Sequence, residues 1–68
     1  MPRWRDFRRF LDRNATFLRH GRNHDIYLYH GQRIRVSRSS AEIGRNTWKE
    51  ILTQQLGMTQ EEFNAGLK

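Results

Sequence analysis

The spacing of the apolar residues changes at Ala15, and that change limits the folds open to this chain. Before it, four apolar side chains recur at the three- and four-residue intervals of a single helix face. They are Trp4, Phe7, Phe10 and Leu11. After Ala15, apolar and polar residues alternate with a period of two, which is typical of strands. The sequence therefore predicts an α+β domain that begins with a helix over about residues 3–13.

Three short strands are predicted after this helix, each bounded by turn residues. They run from Ala15 to His20, from Asp25 to His30 and from Arg33 to Ser37. The first connection is Gly21-Arg22-Asn23, and the second is a two-residue hairpin turn at His30-Gly31, where glycine supplies a positive φ. These connections favour a three-stranded antiparallel sheet.

The alternation in the second and third strands leads to a prediction about the two sheet faces. We expect the helices to cover one face, made of Ile26, Leu28, Ile34 and Val36. The other face then stays open, and it carries Tyr27, Tyr29, Arg33 and Arg35.

Two helices are predicted in the last third of the chain. Thr47-Trp48-Lys49-Glu50 fits a capping box, and Gly57 is a typical helix stop, so a helix is expected between them. Thr59-Gln60-Glu61-Glu62 repeats the capping pattern and predicts a short terminal helix that carries Phe63 and Leu67. The predicted order is helix, three strands, helix and short helix.

Length and composition exclude several classes of protein. At 68 residues, we expect a single domain over residues 1–68 with one thin core and no deep cofactor cavity. The lack of cysteine excludes disulfides, thiolate zinc sites and a cysteine nucleophile. We expect no membrane-spanning segment and no signal peptide, because the chain has no long apolar run, and this predicts a cytoplasmic protein.

The positive charge is concentrated in the first forty residues. Residues 1–40 carry a net charge of +7, whereas residues 41–68 carry −1. Arginine outnumbers lysine by eleven to two, and its planar fork suits bidentate contacts with phosphate. A polyanion is therefore the expected partner, and the alternative is a solvated basic surface that only confers solubility.

Few side chains in this sequence are suited to chemistry near neutral pH. No glycine-rich phosphate loop and no serine in a nucleophile turn is present. The histidines are not at the spacing of a metal site, so no metal is predicted, and His20 and His30 are interpreted as structural residues of strand and turn. His24 follows the Gly21-Arg22-Asn23 turn, where a loop can present its imidazole to a ligand.

Several segments resemble the HicA-type (YcfA-like) mRNA interferase toxins over nearly the whole chain. They are Gly21-Arg22-Asn23-His24, His30-Gly31-Gln32-Arg33, Ala41-Glu42-Ile43, Ile51 to Thr59 and Glu61-Glu62-Phe63. The resemblance implies the α-β-β-β-α order of a double-stranded-RNA-binding-domain-like fold. It also implies that His24 is the catalytic histidine and that a HicB-type antitoxin is the protein partner. Arg22 and Ser37-Arg38-Ser39 depart from the family pattern, which commonly has a small residue at the first place and Pro-Arg-His at the second.

The sequence therefore leads to a specific functional hypothesis. The chain is expected to be a type II toxin that cleaves mRNA without a metal or a small-molecule cofactor, with the ribose 2′-hydroxyl as the nucleophile. The residues expected to bind RNA are Arg22, Asn23, Tyr27, Tyr29, Arg33, Arg35 and Arg38. Two alternatives stay open: a non-catalytic RNA-binding module or inactive toxin copy of the same fold, and an interaction domain for an acidic protein.

Overall fold

A computed structural model describes residues 2–67 and has the predicted α+β layout. The elements are α1 (Trp4–Asn14), β1 (Thr16–His20), β2 (His24–Tyr29), β3 (Gln32–Ser37), α2 (Arg45–Glu50), a π-helical segment (Ile51–Leu56) and α3 (Gln60–Gly66). The strands form one antiparallel sheet in the order β1-β2-β3. The predicted order of elements is thus confirmed. Among the described residues, no helix has the length and apolar character needed to cross a membrane.

The apolar stripe of α1 is buried as predicted. Phe7, Phe10 and Leu11 are at most 2 % exposed, and they pack into one cluster with side chains from the sheet and the later helices. α1 ends at Asn14, where the Asn14 side-chain amide donates to the carbonyls of Phe10 and Gly66. This contact ties the end of α1 to the end of α3.

The hairpin between β2 and β3 turns at His30 and Gly31, as predicted. Their φ angles are +50° and +80°, so both residues adopt the left-handed backbone that a two-residue hairpin requires. The turn pairs Tyr29 with Gln32 and fixes the register of the whole hairpin.

This register contradicts the predicted assignment of the sheet faces. Tyr27 lies opposite Ile34, so the even-numbered apolar residues of β3 share a face with the odd-numbered residues of β2. Tyr27 and Tyr29 are therefore in the core, at 3 % and 8 % exposed, together with Ile34 and Val36. Ile26 and Leu28 lie on the open face with Arg33 and Arg35. The predicted face is therefore correct for the two arginines and wrong for Ile26 and Leu28.

The second helix starts earlier than the capping pattern predicted. Gly44 is the N-cap residue, and Trp48 N–H donates to Gly44 O at 2.8 Å, so Thr47 is not the cap. Glycine is itself an accepted N-cap residue, and Thr47 is therefore the third residue of α2. Gly57 ends the π-helical segment with φ +62°, and Thr59 caps α3 through a capping box with Glu62, both as predicted.

Candidate functional site

A groove of about 460 Å³ opens on the sheet face that the helices leave uncovered. It lies beside the turn that joins β1 to β2. The residues that line it are Arg19, Gly21, Arg22, Asn23, His24, Ile26, Arg33 and Arg35. Four of these side chains are guanidinium groups and none is a carboxylate, so the groove is suited to a polyanion.

His24 carries the one imidazole among the residues that line the groove, and imidazole is the side chain most often used as a general acid or base. It is the first residue of β2, lies opposite Ser37 of β3 and is half-buried. Because side chains alternate along a strand, His24 and Ile26 point to the same face, and Ile26 pairs with Arg35. The structure thus brings His24 together with Arg22, Asn23, Arg33 and Arg35, all of which were candidate site residues.

Arg19 joins this group through a β-bulge that the sequence analysis missed. The pairing of β1 with β2 runs Phe17 with Tyr27 and then Arg19 with Ile26, so Leu18 is an extra residue on β1. In a regular ladder without the bulge, Leu18 would pair with Ile26, and Arg19 would lie opposite Asp25 with its side chain on the other face. The bulge therefore adds the fourth arginine to the groove. No residue type near Leu18 predicts a bulge at this position.

Gly21 permits the tight approach of the turn to β2. Its N–H donates to His24 O at 2.6 Å, and a Cβ on Gly21 would lie 2.8 Å from the same oxygen. That contact is too short for a real Cβ, and the atom it meets belongs to the backbone. A glycine at this position therefore lets the strand ends close beside His24.

Tyr27 and Tyr29 do not contribute to the groove. Their rings are packed in the core, and the Tyr27 hydroxyl donates to Asp12 Oδ1 at 2.5 Å. Burial, together with the hydrogen bond to the Asp12 carboxylate, raises the pKa of Tyr27. Buried rings have no free face on which a base could stack, so the expected stacking role of both tyrosines is corrected.

Arg38 lies behind the turn and uses its guanidinium for contacts within the protein. It donates to Asp25 Oδ1 at 3.0 Å, to Arg22 O at 3.1 Å and to Gly21 O at 2.5 Å. It does not line the groove, unlike the other predicted arginines. Its expected role as a direct phosphate contact therefore gains no support from its position.

Asp25 is a buried carboxylate, 5 % exposed, and it was not a candidate residue. Its Oδ1 contacts His20 Nδ1 at 2.8 Å as well as Arg38, and its Oδ2 lies 3.4 Å from Arg8 Nη2. The hydrogen bond from His20 lowers the pKa of Asp25, burial opposes this, and Arg38 lowers it further. The contact also assigns His20 the structural role predicted for it.

The lowered pKa of Asp25 predicts a dependence of stability on pH. Its carboxylate contributes stability above the unfolded-state pKa, near the ordinary value of 3.8, and this contribution is lost as pH falls through the lower folded-state pKa. Asp25→Asn should lower the free energy of unfolding by about 1 to 2 kcal/mol at pH 7, since His20 and Arg38 are partly solvent-screened. Urea unfolding of both proteins at pH 7 and at pH 3 measures this difference.

The difference between the two proteins should shrink at the lower pH, because pH 3 lies below the ordinary carboxyl pKa of 3.8 and the unfolded wild-type chain then takes up a proton that the folded form resists. Glu61→Gln, which removes an exposed carboxylate of α3, is the matched control and should leave stability nearly unchanged at both pH values. If Asp25→Asn lowers the free energy of unfolding by the same amount at both pH values, the lowered pKa assigned to Asp25 is contradicted.

The arrangement combines one imidazole, four arginines and a half-buried apolar residue, Ile26, in a groove of about 460 Å³. Within residues 2–67, no group of three histidine, aspartate or glutamate side chains is placed to hold a metal ion. Comparisons of the chain with family models, with curated proteins and with solved structures give no match. The resemblance to the HicA-type toxins therefore rests on the motif residues themselves.

Proposed function

We propose that this chain is a cytoplasmic, metal-independent endoribonuclease and the toxin of a type II toxin–antitoxin pair. The observation that carries the proposal is the position of His24 in a groove with Arg19, Arg22, Arg33 and Arg35. The element order supports a double-stranded-RNA-binding-domain-like fold, which is the fold that the resemblance implies. The substrate in this proposal is mRNA.

The proposed reaction uses the nucleophile that RNA itself supplies. The His24 imidazole accepts the proton of a ribose 2′-hydroxyl, and the 2′-oxygen attacks the adjacent phosphorus. The bond from phosphorus to the 5′-oxygen breaks, and that oxygen takes a proton from the imidazolium or from water. The products are a 2′,3′-cyclic phosphate and a 5′-hydroxyl, so atoms and charge balance without a redox step.

The arginines in this proposal stabilise the charge that develops on the phosphate. Arg19 and Arg22 belong to the β1 side of the groove, and Arg33 and Arg35 belong to β3. A phosphate in the groove thus meets guanidinium groups from two directions, which neutralise the extra negative charge of the transition state. Asn23 adds an amide that can donate to a phosphate or ribose oxygen.

A cleavage assay tests the proposed function directly. Purified protein is mixed with end-labelled single-stranded RNA in the presence of a metal chelator, and the products are separated on denaturing and native gels. Discrete fragments are expected. A shifted band without fragments would instead favour a non-catalytic RNA-binding module, and the absence of both would favour an interaction domain for an acidic protein.

RNA binding should depend on salt through the arginines of β3. Arg33→Ala and Arg35→Ala are each expected to weaken binding to all RNA sequences alike and to reduce the salt slope of log K by about 0.7. Fluorescence anisotropy of a labelled single-stranded RNA at several salt concentrations measures this slope. Arg45→Ala removes an exposed arginine of α2 and is the matched control.

Helix α1 is the alternative RNA-binding surface to the arginines of β3. α1 carries Arg5 and Arg9, which are exposed, and Arg8, which is half-buried and contacts Ser37 O and Asp25. If neither β3 variant changes affinity, the open sheet face is not the RNA surface, and α1 becomes the candidate.

The proposed partner is a HicB-type antitoxin that is acidic where it covers the groove. Its association should be faster at low salt, and Arg22→Ala should slow it, because opposite charges steer the encounter. A neighbouring gene product that co-purifies and stops cleavage should also protect His24 from diethyl pyrocarbonate. Inhibition with His24 still open to the reagent would reject direct coverage of the groove.

A further inference from the structure

The turn between β1 and β2 is held from behind by a single residue that follows β3. Arg38 N–H donates to Asn23 O at 3.4 Å, and the Arg38 guanidinium donates to Arg22 O at 3.1 Å and to Gly21 O at 2.5 Å. Three consecutive carbonyls of the turn thus have one common donor residue. Through these contacts the turn cannot move away from the end of β3 without breaking several hydrogen bonds together.

Arg38 is itself held by Asp25, which occupies the position directly after His24. Arg38 Nε donates to Asp25 Oδ1 at 3.0 Å, so all three guanidinium nitrogens of Arg38 have partners within the protein. Asp25 is 5 % exposed, and its other neighbours are His20 of β1 and Arg8 of α1. Arg8 also donates to Ser37 O at 3.0 Å, so the cluster connects α1 with all three strands.

We infer that Arg38 and Asp25 form a clasp that positions His24 and Arg22 for reaction, and this inference rests on the proposed function. The clasp lies behind the groove, since neither residue lines it. Arg38 and Asp25 are therefore positioning residues that act through the turn. This role differs from the phosphate contact that the sequence suggested for Arg38.

The clasp and a phosphate contact predict different kinetics for the same substitution. Arg38→Lys keeps the positive charge but replaces a fork of three nitrogens with a single ammonium, which cannot hold Gly21, Arg22 and Asp25 at once. If Arg38 positions the turn, kcat should fall about tenfold to a hundredfold while KM changes little, because a small misplacement of reacting groups is costly. If Arg38 instead binds phosphate, KM should rise and kcat should change little.

A second measurement examines the clasp without using activity. The Gly21 N–H donates to His24 O across the turn, so its exchange with solvent deuterium reports opening of the turn. Arg38→Lys should speed exchange of the Gly21 amide at least tenfold, whereas the Leu11 amide inside α1 should exchange at the wild-type rate. Arg45→Lys, a matched exchange of an exposed arginine on α2, should change neither rate nor activity.

Asp25→Asn provides a second variant in case Arg38→Lys does not fold. It keeps an oxygen for Arg38 Nε but removes the charge that holds Arg8 and Arg38 together, so the Gly21 amide should again exchange faster and kcat should again fall with little change in KM. Circular dichroism at the assay temperature confirms that each variant is folded.

The outcomes separate this inference from the proposed function. Wild-type protein that does not cleave RNA would overturn the proposed function, and amide exchange would then decide alone whether the clasp holds the turn. Unchanged exchange at Gly21 in folded Arg38→Lys would overturn the clasp even if RNA is cleaved. A rise in KM with unchanged kcat would also overturn it and would return Arg38 to phosphate binding.

Discussion

His24→Ala is expected to reduce RNA cleavage by about 10²-fold to 10⁴-fold, the contribution typical of a general acid or base. The imidazole lies on the open sheet face and outside the hydrophobic cluster, so its loss removes the proton acceptor without leaving a cavity in the core. The four arginines stay in place, and RNA affinity should therefore change little. Single-turnover cleavage rates and anisotropy titrations measure the two quantities separately.

The matched control for His24→Ala is His30→Asn. His30 lies at the hairpin turn with φ +50°, and asparagine tolerates that left-handed backbone. This variant removes a histidine from the far end of β2 and should keep wild-type cleavage. A folded His24→Ala protein that cleaves at the wild-type rate would remove His24 from the mechanism.

Phe63→Ala should be the most destabilising single substitution of those considered, at about 3 to 5 kcal/mol. Phe63 is 1 % exposed, and its ring stacks on Phe10 with centroids 4.8 Å apart and meets Trp48 edge-on at 4.7 Å. It is the only buried side chain of α3, so its removal leaves a cavity and releases the helix from the core. A domain of this length has roughly 3 to 10 kcal/mol of stability in total, so the variant should lose a large share of its free energy of unfolding.

Phe17→Ala tests whether this loss comes from burial or from the aromatic ring as such. Phe17 of β1 is 44 % exposed, although its ring also meets Tyr27 edge-on at 5.4 Å. Its replacement should cost about 1 kcal/mol or less. Urea unfolding followed by circular dichroism compares the two variants, and equal losses would contradict the position of Phe63 in the core.

Local patterns predicted the element types well, because each pattern acts within a few residues. The α1 stripe, the His30-Gly31 turn and the Thr59 capping box depend on spacing and backbone preference alone, and all three are confirmed. The predicted start of α2 was wrong, because Gly44 caps the helix and Thr47 is its third residue.

Tyr27 and Tyr29 were assigned to the wrong sheet face because the register that the hairpin turn imposes was not applied to them. The sequence did contain the information needed for that register. A two-residue turn at residues 30 and 31 requires Tyr29 to pair with Gln32 and Tyr27 to pair with Ile34. Residues that pair directly share a face, so burial of Ile34 implies burial of Tyr27. Ile26 and Leu28 were placed on the buried face because they are aliphatic, although a tyrosine ring buries more apolar area.

Other parts of the site depend on long-range structure and have no local signal. The bulge at Leu18 decides that Arg19 enters the groove, and a bulge is set by how β1 packs against β2. The cluster around Asp25 joins α1, the three strands and the turn through side chains that are far apart in sequence. The sequence therefore predicted five residues that line the groove, His24, Arg22, Asn23, Arg33 and Arg35, but it missed Arg19 and Asp25 and gave Arg38 a different role.

The chemistry of the cleaved ends tests the central claim most directly. Wild-type protein with chelator is incubated with an RNA that it cleaves at a mapped bond, and with the same RNA carrying a single 2′-deoxyribose on the 5′ side of that bond. The account predicts a 2′,3′-cyclic phosphate and a 5′-hydroxyl from the first RNA, by mass spectrometry, and no cleavage at that bond in the second. Cleavage of the deoxy-substituted bond, or products with a 5′-phosphate, would contradict attack by the ribose hydroxyl.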